Sequence, residues 1–279
     1  MALHDDAILA DDVSVDYPGS GGRYRAVHGI SLRVRTGELI GVVGETGSGK
    51  STFARAIAGR TARGSGEGPS ICGGSLSVFG VPVRRMREHA RRRLTAEVGY
   101  LPQNARRTLN PDMTVAENAS APLFERDRRY DRRLAGQHVA ELIDAVQLPL
   151  GVMAKYPHEL SSGQRQRVAI ARSLILGPRL WVADEPIASV DVMVRGPVLD
   201  TLLELQSDRE FTAVIVSHDA AVMSRVTDRV VVLHRGVLVG LGPVQQVLDS
   251  PSHPYVRGLA ADYSLRTNPI PVQRQAAAG

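Results

Sequence analysis

Nine consecutive residues, Gly44-Glu45-Thr46-Gly47-Ser48-Gly49-Lys50-Ser51-Thr52, follow the apolar run Leu39-Ile40-Gly41-Val42-Val43. Their spacing is that of a phosphate-binding loop: glycines let successive backbone N–H groups turn inward around an anion, and the lysine adds a point charge. Chance should produce this motif on the order of 10⁻³ times in a chain of such composition. Lys50 and Lys155 are the only lysines, and every other strongly basic side chain is arginine. A chain that uses arginine nearly everywhere keeps lysine where a compact ammonium must fit between phosphates.

Hydrolysis of a nucleoside triphosphate needs neutralised phosphate charge, a metal bridging the β- and γ-oxygens, and a group that orients the attacking water. Ser51 can place its hydroxyl on Mg²⁺, Lys50 can reach the β- and γ-phosphates, and the amides of Gly47 to Ser51 can cradle the rest. Asp184 ends the apolar run Leu180-Trp181-Val182-Ala183, where a Mg²⁺ carboxylate belongs in α/β folds. Glu185 then faces the γ-phosphate side. His218 follows the run Ala213-Val214-Ile215-Val216-Ser217, and by itself reads equally well as a polar residue at a sheet edge. Ser161, ahead of Ser162, Gly163 and Gln164, is an N-cap opening a long amphipathic helix, hence a second helix N-terminus suited to an anion. One phosphate site seldom needs two such termini, so the second is expected to serve a nucleotide held by another subunit.

These groups need elements to carry them. Phe53, Ala54, Ile57 and Ala58 form a helical stripe that Gly59 ends, aiming the helix N-terminus at the phosphates. Upstream, residues 8–15 and 30–34 read as short strands of a small antiparallel sheet, separated by a turn-rich stretch at Pro18-Gly19. Residues 60–70 read as a Gly/Ser-rich loop. Val139, Leu142, Ile143 and Val146 follow a helical period closed by Pro149, marking a helical insertion from about residue 104. Alternation then resumes: a helix over 168–176, a strand at 180–183, a helix started by Pro197, a strand at 213–216, and a hairpin turning at His234-Arg235-Gly236. Such alternation predicts a mainly parallel sheet covered on both faces.

The chain has 279 residues, 43% hydrophobic, enough for one sizeable α/β domain. No apolar stretch approaches the ~18 residues of a membrane span, so a soluble, cytoplasmic protein is expected. The single cysteine, Cys72, excludes an internal disulfide and reads as a small buried apolar residue. The net charge of +5 is spread among 29 acids, so the arginine runs at 84–93 and 126–133 read as solvated surface rather than as contacts to anionic lipid headgroups or a nucleic-acid footprint.

Taken together, the loop at 44–52, Gln103 within Tyr100-Leu101-Pro102-Gln103, the segment Leu160-Ser161-Ser162-Gly163-Gln164, the pair Asp184-Glu185, Asp191 and His218 resemble the ATP-binding-cassette (ABC) ATPases from about residue 7 to 264. The resemblance implies a P-loop NTPase (RecA-like) fold, α/β with a mainly parallel sheet, an N-terminal antiparallel β subdomain and an α-helical subdomain inserted at about 104–165. It places the cassette in residues 1–264 and an unstructured tail in 265–279. It implies ATP and Mg²⁺ as ligands, Glu185 as general base or water-orienting residue, His218 as γ-phosphate sensor, and Lys50 on the phosphates. Ser51, Gln103 and Asp184 become the Mg²⁺ group, and Tyr17 the aromatic under adenine, with Tyr24 as rival. Ser161 to Gln164 become the signature acting on a neighbour's ATP, and Asp191 the D-loop aspartate.

The runs Thr108-Leu109-Asn110-Pro111, Tyr156 to Leu160 and His253-Pro254-Tyr255 are similar to the ATPase subunits of oligopeptide, dipeptide and nickel importers. Integral-membrane permease subunits, a second ABC ATPase subunit (a heterodimer favoured, a homodimer allowed) and, indirectly, a solute-binding protein are the partners implied. The implied place is the cytoplasmic face of the membrane, with no nucleic acid. Two positions depart from the family pattern: Ser162 replaces a glycine of the signature, and Ala188 replaces the first serine of the D-loop. Both fall on surfaces expected to act on the opposite subunit's ATP, which suggests an asymmetric pair. The alternatives are a soluble ABC ATPase acting on nucleic acid or the ribosome and a small-molecule P-loop kinase, which would leave Ser161 to Gln164 and His218 without a role.

Overall fold

The computed structural model describes residues 6–19, 22–62 and 68–267. Two long strands, β1 (Asp6–Gly19) and β2 (Gly22–Arg35), open the chain. They are followed by β3 (Leu39–Gly44), α1 (Lys50–Ile57), β4 (Ser70–Val78), β5 (Val81–Pro82), α2 (Glu88–Glu97) and β6 (Val98–Leu101). Three helices come next, α3 (Val115–Arg126), α4 (Arg132–Ala145) and α5 (Ser162–Leu174). Then come β7 (Leu180–Asp184), α6 (Val192–Arg209), β8 (Thr212–Ser217), α7 (Ala220–Val226), β9 (Arg229–His234), β10 (Val237–Pro243), α8 (Val244–Asp249) and α9 (Pro254–Thr267).

The strands form an antiparallel sheet in the order β2-β1-β4-β5 and a second sheet in the order β10-β9-β3-β8-β7-β6. In the second sheet β9, β3, β8, β7 and β6 run parallel, and β10 closes one edge antiparallel. Successive side chains of its central strands alternate between two cores, as the period of two demands. Ile40, Val42, Leu180, Val182, Val214, Val216, Val231 and Leu233 join α1 and the antiparallel sheet on one face. Val43, Trp181, Ala183, Ala213, Ile215, Val230 and Val232 join the larger helices on the other. The parallel sheet is thus buried on both sides.

Several expectations change. The two N-terminal strands are much longer than the alternation suggested and carry register shifts, so Pro18 and Gly19 lie within β1; the turn residues 20 and 21 are outside the described residues. Part of the stretch expected to be a loop, residues 63–67, is likewise outside them, and Ser70 already starts β4. Pro197 lies inside α6, whose N-cap is Asp191: the aspartate side chain accepts from the N–H of Met193 at 2.9 Å. The helix α5 starts at Ser162, as the Ser161 N-cap implied, six residues ahead of the stretch read as helical over 168–176, and it ends at Leu174. Cys72 is half-buried, and its thiol lies 3.0 Å from Oδ1 of Asp16, so it is a polar contact and not an apolar filler. Arg84, in the first arginine run, donates to the carbonyls of Gly74 and Cys72. The tail expected from residue 265 begins inside α9, and residues 268–279 lie outside the described residues.

Candidate functional site

Four adjacent parallel strands end side by side: β3 at Gly44, β8 at Ser217, β7 at Asp184 and β6 at Leu101. Register pairs Val43 with Ser217, Asp184 with Val216, and Leu101 with Ala183. The residues that follow, from Glu45, His218, Glu185 and Pro102 onward, therefore leave one edge of the sheet together. This is the carboxyl end, where α/β sheets present their ligand sites.

The loop after β3 turns into α1 through Gly49, the N-cap, at φ +95°. A Cβ there would stand 2.5 Å from the carbonyl oxygen of Ala26, so the position tolerates neither the dihedral nor the bulk of another residue. Lys50 is buried, and its ammonium donates to the carbonyls of Gly44 and Glu45 at 2.7 Å each. Burial pushes its pKa down, against the pull of the carboxylates of Glu185, Asp184 and Glu45. Ser48 is buried too, while Glu45, Thr46 and Gly47 are exposed at the rim. The hydroxyl of Thr52 lies 3.3 Å from that of Tyr17. Tyr17 thereby adjoins the loop, whereas Tyr24, its cross-strand partner, is 67% exposed.

Asp184 is 1% exposed, and its Oδ1 has no hydrogen-bond partner. Burial pushes its carboxyl pKa up, only partly offset by a hydrogen bond with Ser51. An orphaned carboxylate oxygen beside a serine hydroxyl is an all-oxygen donor set suited to Mg²⁺, and three carboxylates around one ammonium leave the place short of positive charge. Ser51, Asp184 and Gln103 line one cleft of about 1090 Å³, whose wall also carries Arg55, Arg126 and Arg172. Gln103 itself is exposed at its mouth.

Glu185 adopts φ +53°, uncommon for a residue with a side chain. Its N–H donates to the carbonyl of Val216 at 3.0 Å, and the next carbonyl, of Pro186, accepts from buried Gln166 at 3.0 Å. Held in this turn, Glu185 brings Oε1 to 2.8 Å from Nδ1 of His218. With the carboxylate ionised, Nδ1 carries the proton and donates it. Because β8 lies between β3 and β7, His218 follows an interior strand and not an edge strand of the sheet.

Ser161 caps α5 reciprocally with Gln164: the serine hydroxyl accepts from the Gln164 N–H at 3.2 Å, and Oε1 of Gln164 accepts from the Ser161 N–H at 2.9 Å. Ser161 and Ser162 are exposed. Gly163 packs against the Asp191 loop so closely that a Cβ would meet the carbonyl oxygen of Ser189 at 3.0 Å. Sequence reasoning missed Arg106, whose Nη1 donates to the hydroxyl of Ser189 at 2.9 Å and ties the segment after Gln103 to the loop before Asp191. The serine beside Ala188 was the only local signal for it.

A family model described as ABC transporter matches residues 27–188. The oligopeptide transport ATP-binding protein OppF of Escherichia coli K12 is 37% identical over 239 residues, covering 84% of this chain and 68% of that protein. The di/tripeptide transport ATP-binding protein DppF of Pseudomonas aeruginosa is 34% identical over 260 residues, covering 90% and 77%. Among solved structures, a dimeric ATP-binding cassette in a post-hydrolysis state with ADP and Pi superimposes with a TM-score of 0.77 at 23% identity, covering 85% of this chain and 98% of that one. The fold is accordingly that of the ATP-binding cassettes, as expected from the sequence.

Proposed function

The chain belongs to the ABC transporter family of ATP-binding, ATP-hydrolysing subunits, and from that premise we propose that it powers the import of peptides or related small solutes, nickel or metal chelates among them, through a membrane permease. What supports the chemical part is the convergence of Lys50, Asp184, Glu185 and His218 at neighbouring strand ends. What supports the solute class is the likeness to the oligopeptide and di/tripeptide proteins over most of the chain.

In this reading the amides of Gly47 to Ser51 and the Lys50 ammonium bind the phosphates, and Tyr17 lies under the adenine. Ser51, Asp184 and Gln103 hold Mg²⁺, which supplies charge neutralisation at the phosphate oxygens. Glu185 accepts a hydrogen bond from the attacking water and draws off its proton, while His218 holds the carboxylate in place and presents its far ring nitrogen toward the γ-phosphate. Gln103 couples this site to the permease.

Ser161, Ser162, Gly163, Gln164 and Asp191 act in trans on the ATP of a second cassette. A heterodimer is favoured, because Ser162 and Ala188 weaken this chain's contribution to the neighbour's site. ATP closes the pair, and phosphate release reopens it. The subunit works at the cytoplasmic face of the membrane with the permease and, indirectly, a solute-binding protein. Among the described residues no helix is long and apolar enough to cross a membrane.

The test is purification of the chain from detergent-solubilised membranes with its bound subunits, then reconstitution into liposomes. The expected result is two integral-membrane subunits and ATP-dependent uptake of a labelled peptide. ATPase activity stimulated by nucleic acid, or a phosphorylated small-molecule product, contradicts the reading.

A further inference from the structure

Residues 84–93 hold six arginines against one glutamate, and the sequence alone reads them as solvated surface. The fold makes them a fixed platform. Val83, Met86 and Leu94 are buried in the core that contains α1, whereas Arg84, Arg85, Arg87, Arg92 and Arg93 are exposed and Arg91 is half-buried. The turn before α2 is pinned to the antiparallel sheet: the Val83 N–H donates to the carbonyl of Leu76 at 2.8 Å, and the Arg84 guanidinium to those of Gly74 and Cys72 at 3.2 and 3.0 Å. Arg92 meets Glu88 at 3.4 Å. Among the described residues, Arg85, Arg87, Arg91 and Arg93 have no carboxylate partner. A hollow of about 660 Å³ opens between this turn and β4, lined by Arg23, Arg84, Arg85, Arg87 and Arg91, with Glu88 as the acid among them. Arg23 is balanced by Asp16 at 3.7 Å, outside the hollow. Helix α2 joins this hollow to the cleft that holds Gln103: Arg91 lines the first, and Arg92, Thr95 and Ala96 line the second.

Like charges held together on a rigid turn and helix raise the energy of the isolated chain, and a surface of opposite sign reverses that cost. Guanidinium groups suit phosphate oxygens, which they meet with paired N–H donors. Clusters of this size gain most at an anionic bilayer, where each arginine near the surface adds to the attraction. Helix α2 sets the array beside the cleft whose Gln103 the reading above assigns to the permease, hence on the side turned to the membrane. We propose that the hollow and the exposed arginines around it dock on the phosphate headgroups of an anionic bilayer, flanking the permease contact. The inference rests on that reading of the cleft. The run at 126–133 is built differently: Asp127 and Asp131 interrupt its arginines, each aspartate accepting a backbone N–H at 2.9 Å. It serves as an internal control of similar charge.

The experiment floats the full chain with vesicles of phosphatidylcholine alone and of phosphatidylcholine mixed with phosphatidylglycerol. It is repeated for a variant carrying Arg85→Gln, Arg87→Gln, Arg91→Gln and Arg93→Gln together, and for a control carrying Arg128→Gln, Arg129→Gln, Arg132→Gln and Arg133→Gln. The native chain is expected to bind the mixed vesicles alone, and less as salt rises. Each arginine of the first run is expected to be worth about fivefold in affinity, so its quadruple variant should bind several hundredfold more weakly, with thermal midpoint and ATP turnover unchanged. The control should lose no more than about fivefold. Equal losses in the two variants, equal binding to phosphatidylcholine alone, or tighter binding to duplex DNA than to the mixed vesicles would each overturn the proposal. Displacement by inorganic phosphate at an ionic strength where chloride does nothing would give the hollow to a free anion and overturn it too. Should the quadruple variant not fold, the exposed single changes Arg87→Gln and Arg93→Gln still decide. Failure of the chain to copurify with membrane subunits would remove the permease-facing reading of the cleft, whereas copurification with undiminished flotation of the 85–93 variant removes only the lipid contact.

Discussion

Nδ1 of His218, at the end of β8, lies 2.8 Å from Oε1 of Glu185, at the end of the adjacent strand β7. The histidine is largely exposed and the glutamate buried, so the contact holds a carboxylate that would otherwise turn freely. His218→Ala should lower kcat on the order of 10²-fold, since it removes the donor that preorganises Glu185, and should weaken ATP binding by a smaller factor, since Lys50 and the loop amides still hold the phosphates. Steady-state ATPase assays with parallel binding measurements check this.

Asp184 is a desolvated carboxylate with one unpartnered oxygen. Asp184→Asn removes a buried charge beside Glu185, so the ligand-free protein should melt a few degrees higher, for a gain of about 1 kcal/mol. The same change should abolish the extra stabilisation that Mg²⁺ adds to that given by ATP. Thermal scans with and without Mg²⁺ and ATP check both halves.

Asn118 is 1% exposed and saturates its side chain: Oδ1 accepts from Asn110 N–H at 2.7 Å, and Nδ2 donates to the carbonyls of Asn110, Met113 and Thr114. It thus pins the Thr108-Leu109-Asn110-Pro111 stretch to the start of α3. Asn118→Leu removes these bonds from partly buried groups, the Asn110 N–H among them, although the Thr114 carbonyl keeps the Asn118 N–H; it should cost about 2 kcal/mol of stability, read as a lower denaturation midpoint in urea.

Arg106 and Ser189 meet through one hydrogen bond at 2.9 Å. If that bond carries motion between the Gln103 segment and the Asp191 loop, Arg106→Ala and Ser189→Ala should each lower solute-stimulated ATPase activity, and the double variant should be no worse than either single one. Additive losses would mean that the two act independently.

The phosphate loop, Asp184-Glu185 and the capping serine Ser161 were legible because each is a local pattern: a β-forming run followed by polar residues for the first two, and a serine three residues ahead of a glutamine for the third. The convergence of Lys50, Glu185 and His218 was implied only by the family resemblance, since it depends on the strand order β3-β8-β7, which no local period encodes. Strand β6 escaped notice because it has four residues, one of them Gly99. At Gly99 a Cβ would stand 2.4 Å from the Ser173 carbonyl oxygen, so close packing and not strand propensity selects the residue. Pro197 misled because a first-turn proline is the common case, whereas here the Asp191 cap starts α6 earlier. His234 and Glu45, whose Nδ1 and Oε1 stand 3.0 Å apart, lie far from each other in sequence, and only the folded chain brings them together.

The central claim is that Glu185 serves the chemical step at a site whose binding is done by Lys50 and its neighbours. The most direct measurement is ATP turnover and ATP affinity of Glu185→Gln in the assembled transporter. The account predicts turnover lowered on the order of 10³-fold with ATP still bound at native affinity; turnover within a few fold of the native rate, or loss of ATP binding along with it, would contradict it.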